Sequence, residues 1–440
     1  MKYFFATLFI LTVWTIGYMI PRTDIFLFLG SYTLLFGVFL FIFKKVKSHH
    51  SFLFYVSVAI IARVGLLLAW PGLSDDLYRF FWDGVVSNSG YSPYAMTPRE
   101  MVDGGGVSQY LINEIFPRLN SQDYYSIYPP FSQLLYRIST FFTSENLYLS
   151  AVGMRVFIIA ADIGIIYLLM KLLPALKYNQ KNALLYALNP LVILEFSGNL
   201  HAEVIMLFFF LLSFWWLLKG KWVLFSIFFA FGILTKLTIL LLFPLLLKRL
   251  GLRRFLYSFM IIVLVVAIPY IYMGIWDYLF HYIESVRLYF QKFEFNASFY
   301  YFFRWIGYHW KGYNLIYWIG PFLSVLAVGG YFFMYILQYL NDKGVLVRAL
   351  FVFTILLFSS TTVHPWYLVF LIAFCLFSHY RYPIVWSFLI IFSYTSYVSE
   401  PYKENLLIVF AEYFLLGIIL LIEFNFVPAK WYHYFFEKPM

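Results

Sequence analysis

The stretch FLYSFMIIVLVVAIPYIY, Phe255–Tyr272, carries no charged side chain and comes directly after Lys248, Arg249, Arg253 and Arg254. An uncharged apolar run of about 20 residues is what an α-helix needs to cross the hydrocarbon core of a bilayer. In lipid every backbone N–H and C=O must be paired within the element, which a helix achieves alone. The run lacks the alternation of a barrel strand. The basic cluster beside it marks a cytoplasmic end.

The same pattern repeats outward in both directions. Apolar stretches lie at 3–20, 25–43, 52–70, 148–172, 182–198, 203–218, 222–234, 237–247, 255–272, 313–339, 347–362, 366–378, 384–398 and 405–424. They predict an all-α, polytopic transmembrane helical bundle of about 12–14 spans, with the pair flanking Lys236 broken or re-entrant. Composition agrees: 63% of residues are hydrophobic and 12% charged, with mean hydropathy +0.80, whereas soluble domains carry about 25% charged residues. The aromatic share of 24% reads as lipid-facing and interfacial rings. Cys375 is the single cysteine, which excludes an intrachain disulfide and a cysteine-based metal cluster. The net charge of +10 reflects cytoplasmic loops rather than a nucleic-acid partner. Lys2 precedes an apolar stretch ending at Ile20, then Pro21 and Arg22, with no small-residue cleavage site, as expected of a retained first helix.

The connecting loops alternate in charge. One set is basic: Lys44-Lys45-Val46-Lys47, Lys177 with Lys181, Lys219 with Lys221, Lys248-Arg249 with Arg253-Arg254, Lys343 with Arg348, and Arg381. The other holds the acids: Asp75, Asp76, Asp83, Asp103, Glu114 and Asp123, then Asp277, Glu284 and Glu294, then Glu400 and Glu404. Basic loops stay in the cytoplasm, so both termini of this multi-pass membrane protein are expected inside. Residues 1–440 read as one polytopic membrane domain without internal repeats, with two long extracytoplasmic loops at 71–147 and 273–311. Both loops are too aromatic for disorder and are expected to form short amphipathic helices on the outer surface.

The most informative loop segment is Pro71-Gly72-Leu73-Ser74-Asp75-Asp76-Leu77-Tyr78-Arg79-Phe80-Phe81-Trp82-Asp83-Gly84. Ser74 or Asp75 can cap a helix here. Asp76, Arg79 and Asp83 then share one face, Asp75 reaches Arg79 from four residues back, and Leu77, Phe80, Phe81 and Gly84 make the apolar face. This predicts an interfacial helix displaying carboxylates just beyond a transmembrane helix. Such a cluster is either a capped surface helix with an ion pair or a catalytic base in a membrane-surface cleft, since neighbouring carboxylates raise one another's pKa. Gly90-Tyr91-Ser92-Pro93-Tyr94 and Ile127-Tyr128-Pro129-Pro130-Phe131 come next, each a turn leading into a helix.

Taken together these segments resemble the GT-C glycosyltransferases, multispan enzymes that use lipid-phosphate sugars as donors. The pattern is most similar to the mannosyltransferase branch, which includes the first mannosyltransferase of GPI-anchor synthesis and bacterial polyprenyl-phosphate-mannose enzymes. That branch has an acidic pair, Tyr, an aromatic–Asp step, Gly-x-x-Pro-Tyr and Tyr-x-Pro. Here these fall on Asp75-Asp76, Tyr78, Trp82-Asp83, Gly90 to Tyr94, and Tyr128 to Pro130. Fainter matches are Asn189-Pro190 to Glu195, Gly198-Asn199-Leu200-His201-Ala202-Glu203, Leu234-Thr235-Lys236 with Pro244, Phe295-Asn296-Ala297-Ser298, and His364-Pro365-Trp366-Tyr367. The first two spans and the stretch 52–70 all precede the acidic loop, which many members of the superfamily place directly after span one. The two acids are adjacent, where the GPI-type pattern separates them by one residue.

The resemblance implies transfer of a hexose, mannose by likeness, from a polyprenyl-phosphate donor to an acceptor hydroxyl on a glycan, lipid or protein. Either Asp75 or Asp76 would be the general base. The departing phosphate needs cations, for which Arg79, His201, Lys236, Arg287, Lys292 and His364 are candidates; Asp83, Tyr128, Glu203 and Trp366 complete the expected substrate contacts. Lys236 stands out because it interrupts an apolar run, where an ionisable group faces a cavity or partner unless it snorkels to the interface. Asp75 and Asp76 are oxygen ligands of the kind Mg²⁺ or Mn²⁺ takes, without forming a metal motif. One displacement at the anomeric carbon would invert it. Asn296-Ala297-Ser298 also spells a glycosylation sequon. The competing reading is a transporter or flippase of lipid-linked sugars, which predicts ionisable residues at midplane rather than acids gathered in an outer loop; a non-enzymatic scaffold accounts for neither the acidic helix nor Lys236.

Overall fold

The computed structural model describes residues 1–291, 293–336, 344–398 and 402–426, so Lys292, Lys343 and Glu400 lie outside the described residues. Among these residues the regular structure is helical, apart from one isolated parallel bridge between Phe295 and Thr362. Six helices are long and apolar enough to cross a membrane: Lys2–Met19, Ile25–Lys45, Leu147–Ala175, Leu252–Tyr272, Ile316–Ile336 and Leu406–Glu423. The pair Pro190–Gly198 and Glu203–Leu218 meets the same test jointly but is bent by 111°. Five further apolar helices are shorter: His49–Val64, Trp222–Thr235, Val345–Phe358, Pro365–Cys375 and Tyr382–Val398. The all-α polytopic architecture therefore stands. The count of unbroken long helices is smaller than the fourteen apolar stretches suggested, because hydropathy registers apolar side chains and not backbone breaks. At Lys236 the backbone is extended (φ −159°, ψ 134°), and Leu237–Leu242 and Pro244–Leu246 continue as tighter 3-10 turns, the broken pair anticipated around that lysine. In Leu252–Tyr272 and in Ile316–Ile336 only 11% of the apolar window is buried. That leaves outward-facing apolar surface on a scale that water disfavours and lipid does not.

The chain divides into two compact units, each discontinuous in sequence. The first comprises Met1–Arg63, Leu169–Glu195 and Phe290–Met440. Its apolar helices are tied by a few internal hydrogen bonds, which have no competing water in such surroundings. The Tyr32 hydroxyl donates to the Ser387 carbonyl at 2.6 Å, the Asn189 amide to Ser387 Oγ at 2.9 Å, and the buried Arg63 guanidinium to the Ala187 carbonyl at 2.6 Å.

The second unit comprises Val64–Leu168 and Phe196–Tyr289. Its centre is the helix Asp76–Asn88, in which every residue from Arg79 to Ser87 is buried. This corrects the expectation of a helix with an open polar face. The rest of the 71–147 segment folds around it: Phe80 stacks on Tyr136 at 4.7 Å, Phe81 meets Tyr110, and Trp82 meets Phe116. Gly84 lets the helix Pro130–Thr140 approach to backbone contact, since a Cβ there would stand 2.5 Å from the Tyr136 carbonyl oxygen. Pro130 occupies the first turn of that helix, where its missing N–H costs nothing.

Candidate active site

The acidic helix starts at Asp76, with Asp75 in the capping position. Asp75 makes no side-chain cap bond; Ser74 Oγ instead accepts the Asp76 N–H at 3.2 Å. The loop before it is pinned to the segment containing His201. The Leu73 N–H donates to Asn199 Oδ1 at 2.8 Å. Arg155, buried on the helix Leu147–Ala175, donates to the Leu67 carbonyl at 2.9 Å and to the Gly198 carbonyl at 3.0 Å. Between Asn199 and His201 the buried Leu200 holds a left-handed backbone with φ 71°. A branched residue adopts this region at a cost of about 1–3 kcal/mol, and such strain gathers at functional sites.

These constraints set Asp76 opposite His201, with Oδ2 and Nε2 3.9 Å apart. The His201 side chain is 2% exposed, while that of Asp76 remains 27% exposed and thus reachable by a substrate. Beside them Lys236 donates to the buried Glu203 carboxylate in a close ion pair, and the lysine is itself 34% exposed. Asn120 reaches the other Asp76 oxygen at 3.5 Å. Burial pushes the Asp76 carboxyl above its ordinary value; His201 and Lys236 pull it down, Glu203 adds to the rise, and burial is the largest influence. A carboxylate so placed is a stronger base than one in water. The 3.9 Å gap is longer than a hydrogen bond, as catalytic contacts often are without substrate.

Arg79 and Asp83, expected to share the face of Asp76, are turned inward. Arg79 Nε donates to Asp83 Oδ1 at 2.8 Å, and its Nη1 to the carbonyls of Ser121 at 3.0 Å and Tyr124 at 2.8 Å. Asp83 also accepts from Ser126 Oγ and from the Gln133 amide at 2.8 Å. Both side chains are buried, so this network fixes segment 121–126 against the helix. Tyr128 lies just beyond that segment with its ring edge-on to Phe80 and Tyr136, and its carbonyl accepts the Tyr94 hydroxyl at 2.5 Å.

The other expected contacts have surroundings of their own. Arg287 is exposed on the helix Leu279–Gln291, and Lys292 is among the residues not described. His364 and Trp366 belong to the first unit, where they stack on each other at 4.3 Å, and His364 stacks on Phe295 at 4.8 Å. The Phe295-Asn296-Ala297-Ser298 and His364-Pro365-Trp366-Tyr367 motifs are thus joined: the Phe295 N–H donates to the Thr361 carbonyl at 3.1 Å, and the Val363 N–H to the Phe295 carbonyl at 2.8 Å. Asn296 is wholly buried and its amide donates to Glu412 at 3.2 Å, so the sequon is no surface acceptor. Among the described residues no three His, Cys, Asp or Glu side chains gather as a metal site. Arg155, Ser126 and Gln133 are site-building residues that the sequence reading passed over, while Asn199 entered it only as part of the motif around His201. Of those three only Arg155 had a signal, a charge inside an apolar stretch.

A family model described as alpha-(1->6)-mannopyranosyltransferase, N-terminal domain, matches residues 5–250. The match takes in the acidic loop, His201, Glu203 and Lys236, and ends before Arg287, His364 and Trp366. No curated protein and no solved structure matches the chain. More than half of the sequence is matched, and the fold is a polytopic helical one. The chain therefore belongs to the alpha-(1->6)-mannopyranosyltransferase family and is a membrane glycosyltransferase that moves mannose.

Proposed function

We propose that the protein transfers mannose from a polyprenyl-phosphate donor to an acceptor hydroxyl on the extracytoplasmic side, with Asp76 as general base. The observation that carries this reading is the Asp76–His201 pair: a carboxylate that burial makes more basic, still open to a substrate, beside a histidine and the Glu203–Lys236 ion pair. Asp76 takes the acceptor proton as the acceptor oxygen bonds to the anomeric carbon. The bond from that carbon to the phosphate oxygen breaks, and the phosphate departs with its electron pair. Lys236, already paired with Glu203 but part-exposed, is the nearby charged donor that would offset its charge, with His201 as a further donor. A single displacement inverts the anomeric centre. The outward apolar faces of the spanning helices offer an isoprenoid chain a solvent it accepts.

Asp75, held at the cap of the helix, serves to present Asp76 rather than to take the proton. Arg79 and Asp83 hold the site from behind. His364 and Trp366, stacked on each other within the first unit, stay substrate-contact candidates on the strength of the motif resemblance. Asp75 and Asp76 alone are a thin ligand set for Mg²⁺ or Mn²⁺, since magnesium normally takes about six oxygens in octahedral array, and the steps above use only the chain's own groups.

Membranes containing the protein, supplied with labelled polyprenyl-phosphate mannose, test the reading. Wild type and Asp75→Asn pass label to a new product, whereas Asp76→Asn does not. Full transfer by Asp76→Asn removes the base assignment. Label that crosses the bilayer without a new glycosidic bond returns the weight to a flippase. A cysteine placed at the exposed Gln109, in a Cys375-free chain, reports sidedness by reacting with an impermeant thiol reagent from outside the cell.

A further inference from the structure

We propose that Arg155 is a positioning residue for the transfer reaction, acting with Asn199 to hold His201 at working distance from Asp76; this rests on Asp76 being the base. Arg155 is buried in an apolar helix, where a guanidinium is retained only if its donors are used. Two of its nitrogens are spent on backbone carbonyls from segments far apart in sequence. Leu67 lies on the loop that leads into Asp75 and Asp76, and Gly198 lies just before His201. Asn199 makes a second tie between the same segments through the Leu73 N–H. One fork thus spans the junction on which the Asp76–His201 separation depends, and the left-handed turn at Leu200 is held between the tied Gly198–Asn199 step and His201. Lysine would keep the charge but cannot aim two fixed donors at two carbonyls.

The prediction is read on purified protein in lipid nanodiscs. Arg155→Lys lowers kcat by about 100-fold, the scale of an ångström of misplacement, while KM for the donor stays within about twofold. The acid limb of the pH–rate profile also moves upward. His201 lowers the pKa of Asp76, so loosening the pair lets that pKa rise and the base form is lost at a higher pH. In a His201→Asn background, Arg155→Lys shifts the limb no further, because the interaction it tunes is already gone. An activity loss that only tracks the amount of folded protein, with an unmoved acid limb, overturns the proposal, as does full activity. If Arg155→Lys does not fold, Asn199→Ala must show the same kcat loss and limb shift, and its absence there is equally decisive. An acid limb that survives in the residual activity of Asp76→Asn would instead count against Asp76 as the base, which keeps the two failures apart.

Discussion

Asp76 and Asp83 stand two turns apart on one helix and have opposite surroundings. Asp83 is sealed: Arg79, Ser126 and Gln133 use its oxygens, and its side chain has no exposed surface. Asp76 is partly open and faces His201 across a gap rather than through a hydrogen bond. A carboxylate whose acceptor sites are filled by its own protein can hold structure but has nothing left for a substrate. One that is desolvated yet incompletely paired keeps its basicity for use.

The comparison is broken most directly by exchanging chemistry for shape at each end. Asp76→Asn should lower the transfer rate by roughly 100- to 10,000-fold, the usual worth of a general base, without lowering the thermal unfolding temperature in detergent. Asp83→Asn or Arg79→Met should act the other way: removing one partner of a buried pair costs about 3–5 kcal/mol, read as lost folded protein, with the surviving molecules keeping most of their kcat. If Asp83→Asn folds normally and loses rate instead, the division between the two ends is wrong. Gly84→Ala sits between them. Its Cβ meets backbone on the helix Pro130–Thr140, which cannot swing aside as a side chain would, so a loss of about 1–3 kcal/mol is expected, visible as a lower unfolding temperature.

The smallest effect is in pH. The Asp76 carboxyl is raised from 3.8, so activity, which needs the carboxylate, falls as pH drops through that raised value, and the limb disappears in Asp76→Asn. Stability runs the opposite way. A carboxyl raised in the folded state contributes stability below its unfolded pKa and withdraws it as pH rises through the folded one. A limb at the ordinary carboxylate position would remove the argument that burial strengthens Asp76 as the base.

Much of this site could be read from the chain. The acidic pair, Tyr128, His201, Glu203 and Lys236 stood out as charges or motifs in an apolar background, and Asp76, His201, Glu203 and Lys236 meet in one place. Helical spacing also put Arg79 beside Asp83. It could not say that segment 121–126 would close over them, because backbone carbonyls of Ser121 and Tyr124 have no sequence signature. Arg155 showed itself only as a charge in an apolar stretch, and what it holds was hidden because its partners are the carbonyls of Leu67 and Gly198, and any residue supplies a carbonyl. Helix breaks were legible at Lys236, where a charge interrupts the run. They were legible too at the 111° bend, where the stretches 182–198 and 203–218 part around Asn199 and His201, although the angle itself has no sequence signature.

That bend has a consequence for which changes in length the chain can accept. Residues 199–202 join Pro190–Gly198 to Glu203–Leu218, and Gly198 and Asn199 at the start of the turn are already tied down. One residue inserted there would lengthen the non-helical link between the tied turn and the helix Glu203–Leu218, shifting Glu203 relative to Lys236 while leaving hydropathy untouched. The exposed Gly104-Gly105-Gly106 turn, in the same unit, has no such duty. Sequences that drift in length should therefore vary freely at the glycines and keep a fixed count through His201.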